Sequence, residues 1–220
     1  MGGFSGANIA TDGLVLYIDA ANVKSYPGSG TDAYDISGNN RHCTMNNGAA
    51  TANDPISVFT FDGVDDTITT NSVQNYITSN LSIDIFVKVG THGNFNDYVS
   101  NNWVNSGWLL YSTSTQWYFS VAQSGTQYGA RIAHNNNLEW THLVGAYDGT
   151  QGNLYVNGEL VDTSPEAPDS ATFDSNVTIR IGAPTEPGSY KIGFVRLYDR
   201  ALTADEVRQN FNATRARFGI

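Results

Sequence analysis

Residues 140–162, WTHLVGAYDGTQGNLYVNGELVD, constrain the fold more than any other stretch of the chain. Leu154, Tyr155 and Val156 precede Asn157-Gly158, and Leu160 and Val161 follow it. Both central residues of a two-residue type I′ turn need φ > 0, which Asn and Gly tolerate best, so the pair predicts a tight hairpin. Upstream, Trp140, His142, Val144 and Ala146 alternate with Thr141, Leu143, Gly145 and Tyr147, and Asp148-Gly149 starts a second turn. The result is three antiparallel strands in succession. Such a meander is half-buried on one face, so a second sheet must cover its apolar side.

The rest of the chain has the composition to supply that sheet. Of its 220 residues, 22 are Gly, 12% are aromatic and only 15% are charged, which suits many short strands and turns. No Pro/Ser-rich linker divides it, and a sandwich of about this length is common as one domain. The net charge of −10 opposes the phosphate neutralisation on which nucleic-acid binding depends. The last 25 residues run the other way, with five Arg against three acids, which suits an acidic partner such as a second copy, and equally a solvated arginine face. Cys43 is the only cysteine, so packing rather than an internal disulfide must hold the fold. No run of about 18 apolar residues implies membrane insertion, and the first residues lack the basic and apolar regions of a secretory signal. Synthesis in a cytoplasm is the expectation, with release from a lysed cell as one route outward.

Residues 1–12 have no periodicity and read as a flexible arm or a segment ordered by a partner, leaving 13–220 as the domain. Residues 14–18 read as a strand inside a sandwich, and residues 19–45 as a long surface connection rich in Gly, Asn, Asp and Ser. Phe59 and Phe61 precede the turn at Asp62-Gly63, with a second strand through Ile68. Leu81, Ile83, Ile85, Val87 and Val89 alternate with Ser82, Asp84, Phe86 and Lys88, the pattern of a half-buried strand. Trp117, Phe119 and Val121 alternate inward against Tyr118 and Ser120. Residues 178–181 and 192–198 close the β pattern. Thr203-Ala204-Asp205-Glu206 then forms a capping box, with Leu202 and Val207 at the hydrophobic-staple positions, and predicts a short helix near 204–211 docked through Val207 and Phe211.

The ordered set FTFDGVDD, WTHLVGAYDG, LYVNGELV, IRIGAP and VRLYDRALTADEV resembles laminin-G-like and pentraxin-like jelly rolls of the concanavalin A-like lectin/glucanase superfamily, over about residues 13–211. The resemblance implies an all-β fold, two antiparallel sheets of about six or seven strands packed as a sandwich, with one short C-terminal helix and rim loops that often bind sugar or calcium. The flanking pieces, GLVLYIDAANVKSYPGSG and VRQNFNATRARFGI, resemble those of such domains in virion proteins of tailed bacteriophages. What that implies is a non-enzymatic virion structural protein, a capsid decoration or fibre component. Its partners would be other virion proteins, further copies of itself and surface glycans. The alternative is a free or cell-surface-associated carbohydrate-binding protein.

Candidate site residues follow from this chemistry. Aromatic rings stack on sugars while Asn and backbone groups fix hydroxyls. Trp103, Trp108, Tyr118 and Tyr128, with Asn101, Asn102 and Asn105, offer that combination, and Trp103 in the Asn-rich stretch NNWVNSG is the expected exposed ring. Asp62, Asp65 and Asp66 place three carboxylates in one turn, enough to begin a Ca²⁺ site and equally explained as a solvated turn. In relatives an acidic residue of the penultimate strand helps such a site, whereas the matching stretch here is Ile192-Gly193-Phe194-Val195. Retaining glycosidases need two carboxyls about 5–5.5 Å apart, and the paired acids of the superfamily's glucanases are missing from Ser82-Ile83-Asp84-Ile85-Phe86, which argues against an enzyme. His42, His92, His134 and His142 read as surface or loop residues.

Overall fold

A computed structural model describes residues 8–72, 76–91, 93–101, 104–134, 138–164, 171–183 and 188–220. Within them run sixteen strands: β1 Leu14–Asp19, β2 Asp32–Ala33, β3 Cys43–Asn46, β4 Ala50–Asn53, β5 Ser57–Phe61, β6 Thr67–Thr70, β7 Leu81–Thr91, β8 Asn96–Asn101, β9 Gly107–Ser112, β10 Gln116–Gln123, β11 Thr126–Ala133, β12 Thr141–Tyr147, β13 Gly152–Val156, β14 Glu159–Thr163, β15 Arg180–Ile181 and β16 Ser189–Tyr198. Helix α1, Ala204–Thr214, and a 3₁₀ turn, Arg215–Phe218, end the chain.

The strands form two antiparallel sheets of eight, one or two strands wider than expected. The first has the order β14-β13-β12-β7-β16-β5-β4, with β1 also on β16, and the second β11-β10-β9-β8-β15-β6-β3-β2. Strand β16 is long enough for its first half to pair with β5 and its second with β1 along one edge, while β7 takes the other. The meander is as read: β12 pairs with β13 and β13 with β14, and Asn157 (φ 51°) and Gly158 (φ 87°) occupy the turn. Leu16, Phe59, Ile83, Ile85, Trp108, Phe119, Leu143 and Leu197 are among the side chains that fill the space between the sheets. Trp108, a candidate sugar platform by sequence, is fully buried there.

Strand β7 departs from the half-buried reading. Ser82, Asp84 and Phe86 are as buried as the inward Ile83 and Ile85, because the C-terminal helix lies across the outer face of the first sheet. That helix starts as its capping box dictates: Thr203 Oγ1 accepts from Glu206 N, and Glu206 Oε2 accepts from Thr203 N at 2.9 Å. Leu202 and Val207 pack together beneath it with Val144, Ala146 and Tyr198. Phe86 stacks on Phe218 at 4.2 Å. Burying each such side chain is worth about 1.5–3 kcal/mol, enough to hold a short helix that would not persist alone.

The segment read as an arm is tied down from its described beginning. Ala10 N donates to Asn210 Oδ1 (2.7 Å), and Tyr198 Oη donates to Ala10 O (3.0 Å). Ala10 is buried, so the packed unit extends upstream of Gly13.

Candidate functional site

Because Trp117, Phe119 and Val121 point into the core, Tyr118 and Ser120 must face the outer surface of the second sheet. Register then builds the site. Tyr118 on β10 stands opposite Tyr111 on β9 and the exposed Arg131 on β11, and Tyr111 stands opposite Asp97 on β8. The Tyr118 and Tyr111 rings stack at 4.6 Å and 14°, and Tyr111 stacks in turn on Phe95 at 4.5 Å and 22°. A three-ring row results, with Tyr118 and Phe95 half-buried and Tyr111 buried between them. Tyr118 Oη donates to Gln116 Oε1, which fixes the ring at its polar tip.

The row is bordered by charge. Asp97 is fully buried; its Oδ2 accepts from Ser100 Oγ (2.7 Å) and from Arg180 Nη2 (3.3 Å). Beyond Arg180 the same face continues through Thr69 and Thr44 to Asp32 at the sheet edge. Rings, hydroxyls and two guanidinium groups thus share one surface, which among the described residues carries no covering helix. Asp32 and Asp97 are the only acids in the eight strands. Four strand spacings separate them, about 19 Å at about 4.8 Å per strand, far beyond the separation of a glycosidase pair.

The other sugar candidates do not join Tyr118. Tyr128 lies opposite Val121 and packs against the core, facing the other way. Asn101, opposite Trp108, is buried, with its Nδ2 donating to Asp174 O at 3.3 Å. Asn102 and Trp103 lie outside the described residues. Of the calcium candidates, Asp66 Oδ2 accepts from Asp62 N (2.8 Å) and Asp62 Oδ1 from Val64 N (2.8 Å). These carboxylates stitch their own turn, and no group of three His, Cys, Asp or Glu side chains converges as on a metal among the described residues. Burial, with Asp62 and Asp65 adding repulsion, raises the Asp66 carboxyl above its ordinary range despite the bond from Asp62 N.

A second polar cluster lies under the helix. His142, read as a surface residue, is fully buried, its Nε2 2.9 Å from Asp84 Oδ1. Asn210 Nδ2 donates to Asp84 Oδ2 (2.7 Å), and the Arg196 guanidinium lies 3.6 Å from Asp84 Oδ1 and 3.9 Å from the Phe194 ring centroid. Burial raises the Asp84 carboxyl, but Arg196, His142 and Asn210 outweigh it and hold it below its usual range. The cluster is sealed from solvent and positions the helix. Its sequence signal was a single charged residue inside each of two apolar strands, LSIDIF and FVRLY.

A laminin G-type family of the concanavalin A-like lectin/glucanase superfamily matches residues 62–208. The chain belongs to that family. No curated protein matches its sequence. Among solved structures, the laminin G-type sandwich is similar to the binding domain of botulinum neurotoxin serotype D, with a TM-score of 0.77, 15% identity and 93% of this chain covered against 51% of that one. It is also similar to the binding domain of Paraclostridial Mosquitocidal Protein 1, with a TM-score of 0.71, 18% identity and coverage of 92% and 52%. A third is the binding domain of botulinum neurotoxin DC in complex with SialylT, with a TM-score of 0.74, 15% identity and coverage of 92% and 52%. The chain spans about half the length of these domains, and at such identities the likeness is one of fold. Two of these three structures are binding domains of botulinum neurotoxins, and the bacteriophage setting expected from the flanking sequences finds no counterpart in the three.

Proposed function

We propose that this laminin G-type protein is a non-enzymatic carbohydrate-binding module whose ligand face is the outer surface of the second sheet around Tyr118. The stacked row Phe95, Tyr111 and Tyr118 carries the reading: Tyr118, at the end of the row, is held rigid by its stack on Tyr111, and its other side, toward Arg131, suits the apolar face and hydroxyl rim of a sugar. The likeness to toxin binding domains, one of them in complex with SialylT, supports recognition over catalysis, as does the wide separation of the two acids on this face. A free or cell-surface-associated module is the form these relatives support. Carriage on a bacteriophage particle rests on the flanking segments, and mass spectrometry of purified particles without any peptide of this chain would remove it.

A shallow face with one or two stacked rings binds weakly at a single site, so a multimer is the right probe. On a glycan array a tetramerised chain is expected to bind a defined subset of glycans, and Tyr118→Ala to lose that binding while retaining the folded circular dichroism spectrum. Undiminished binding by Tyr118→Ala would move the site off this face.

A further inference from the structure

We infer that a pocket on the outer face of the first sheet, between β5, β7 and β16, binds a small amphiphilic carboxylate of about six to eight carbon atoms. It lies on the sheet opposite Tyr118 and does not depend on the glycan reading. The pocket holds about 210 Å³ and is lined by Thr60, Lys88, Gly90, Leu138, Ser189 and Lys191, together with the strand backbone between them. It begins where the C-terminal segment stops: Phe86 is covered by Phe218, whereas Lys88, two residues along the same face of β7, is only partly covered. A register shift of β16 at Ser189/Tyr190 marks one end of the pocket, where Ser189 packs into the space that a side chain on Gly90 would need. Leu138, about half exposed, forms an apolar wall of the pocket.

Charge selects the ligand. Lys191 Nζ lies 2.7 Å and Lys88 Nζ 3.1 Å from the same Asp54 Oδ2. Two ammonium groups therefore share one carboxylate, and among the described residues neither has another acid within ion-pair distance. A net positive charge at the rim of an apolar pocket, on a chain of net charge −10, is complementary to an alkyl tail with an anionic head. A cavity of about 150 Å³ accepts benzene, so this volume suits a ligand only slightly larger.

The test is a ¹H–¹⁵N titration of the full chain with sodium octanoate, with octylammonium and octan-1-ol as comparisons. Saturable shifts are expected at Gly90, Leu138 and Ser189, with half-saturation at about 1 mM, as suits a ligand of about ten non-hydrogen atoms held at a shallow site. Removing either lysine leaves the rim neutral, so Lys191→Ala and Lys88→Ala should each weaken octanoate about tenfold while leaving octan-1-ol unchanged. Leu138→Asp, at an exposed position, should abolish both. No saturable shift up to about 20 mM, equal binding of octylammonium, or shifts centred on Tyr118 would each overturn the inference.

Discussion

Asn210→Ala tests how the helix is joined to the sandwich. Asn210 is fully buried and takes one hydrogen bond from Ala10 N while giving two, to Asp84 Oδ2 and Tyr198 Oη. Alanine is the better helix former, so on propensity alone the change would be neutral or stabilising. The structure demands the opposite. Ala10 N and Asp84 Oδ2 would be stranded away from water, each at about 1–3 kcal/mol, with the carboxylate at the upper end because it is charged. A total of about 3–5 kcal/mol corresponds to a melting point about 10 °C lower for a domain of this size, at about 2–4 °C per kcal/mol. Urea denaturation at neutral pH measures it, with the exposed Asn212→Ala as a helix-propensity control. A loss below about 1 kcal/mol at unchanged m would refute the argument, since it would mean that water reaches these groups. A lower m at an unchanged midpoint would refute it differently, by showing that the helix leaves the sandwich on its own.

Three further outcomes follow from the geometry. Arg200, with burial opposing and the Thr203 amide helping, lowers the Glu206 carboxyl from its ordinary value to about 2; a depressed carboxyl stabilises the fold above its unfolded pKa, so Glu206→Gln should cost about 1 kcal/mol at pH 7 after solvent screening, the difference vanishing as pH falls from about 4.5 to about 2. Asp66 is displaced upward, so its ionised form opposes folding, and Asp66→Asn should raise the melting point at neutral pH and lose that gain in acid; a lowered melting point, matched by a chelator acting on the parent protein, would reinstate calcium at this turn. A Cβ on Gly193 would lie 2.3 Å from Phe218 Cζ, so Gly193→Ala should expel that ring from the Phe86 and Trp140 cluster at a cost of about 1–3 kcal/mol. Trp fluorescence tracks the loss, and an unchanged emission and midpoint would count against it.

Much of the fold was legible because it is written in local periodicity. The Asn157-Gly158 hairpin, the inward set Trp117, Phe119 and Val121, and the capping box at Thr203 each depend on backbone geometry within a few residues, and each stands as read. Tertiary structure decided the rest. Alternation separates the two faces of β7 but does not tell which face is wet; a helix more than 100 residues downstream buries Asp84 and Phe86 as deeply as Ile85. For the same reason His142 moved from expected surface to interior, beside a carboxylate 58 residues away. In the candidate site, Tyr118 was visible from the sequence, but Tyr111, Phe95 and Arg131 became its neighbours only through the register of β9, β10 and β11. That same register turned Tyr128 and Asn101 inward. Strand side chains alternate with a period of two, so pairing decides which residues share a face, and pairing is set by contacts distant in the chain.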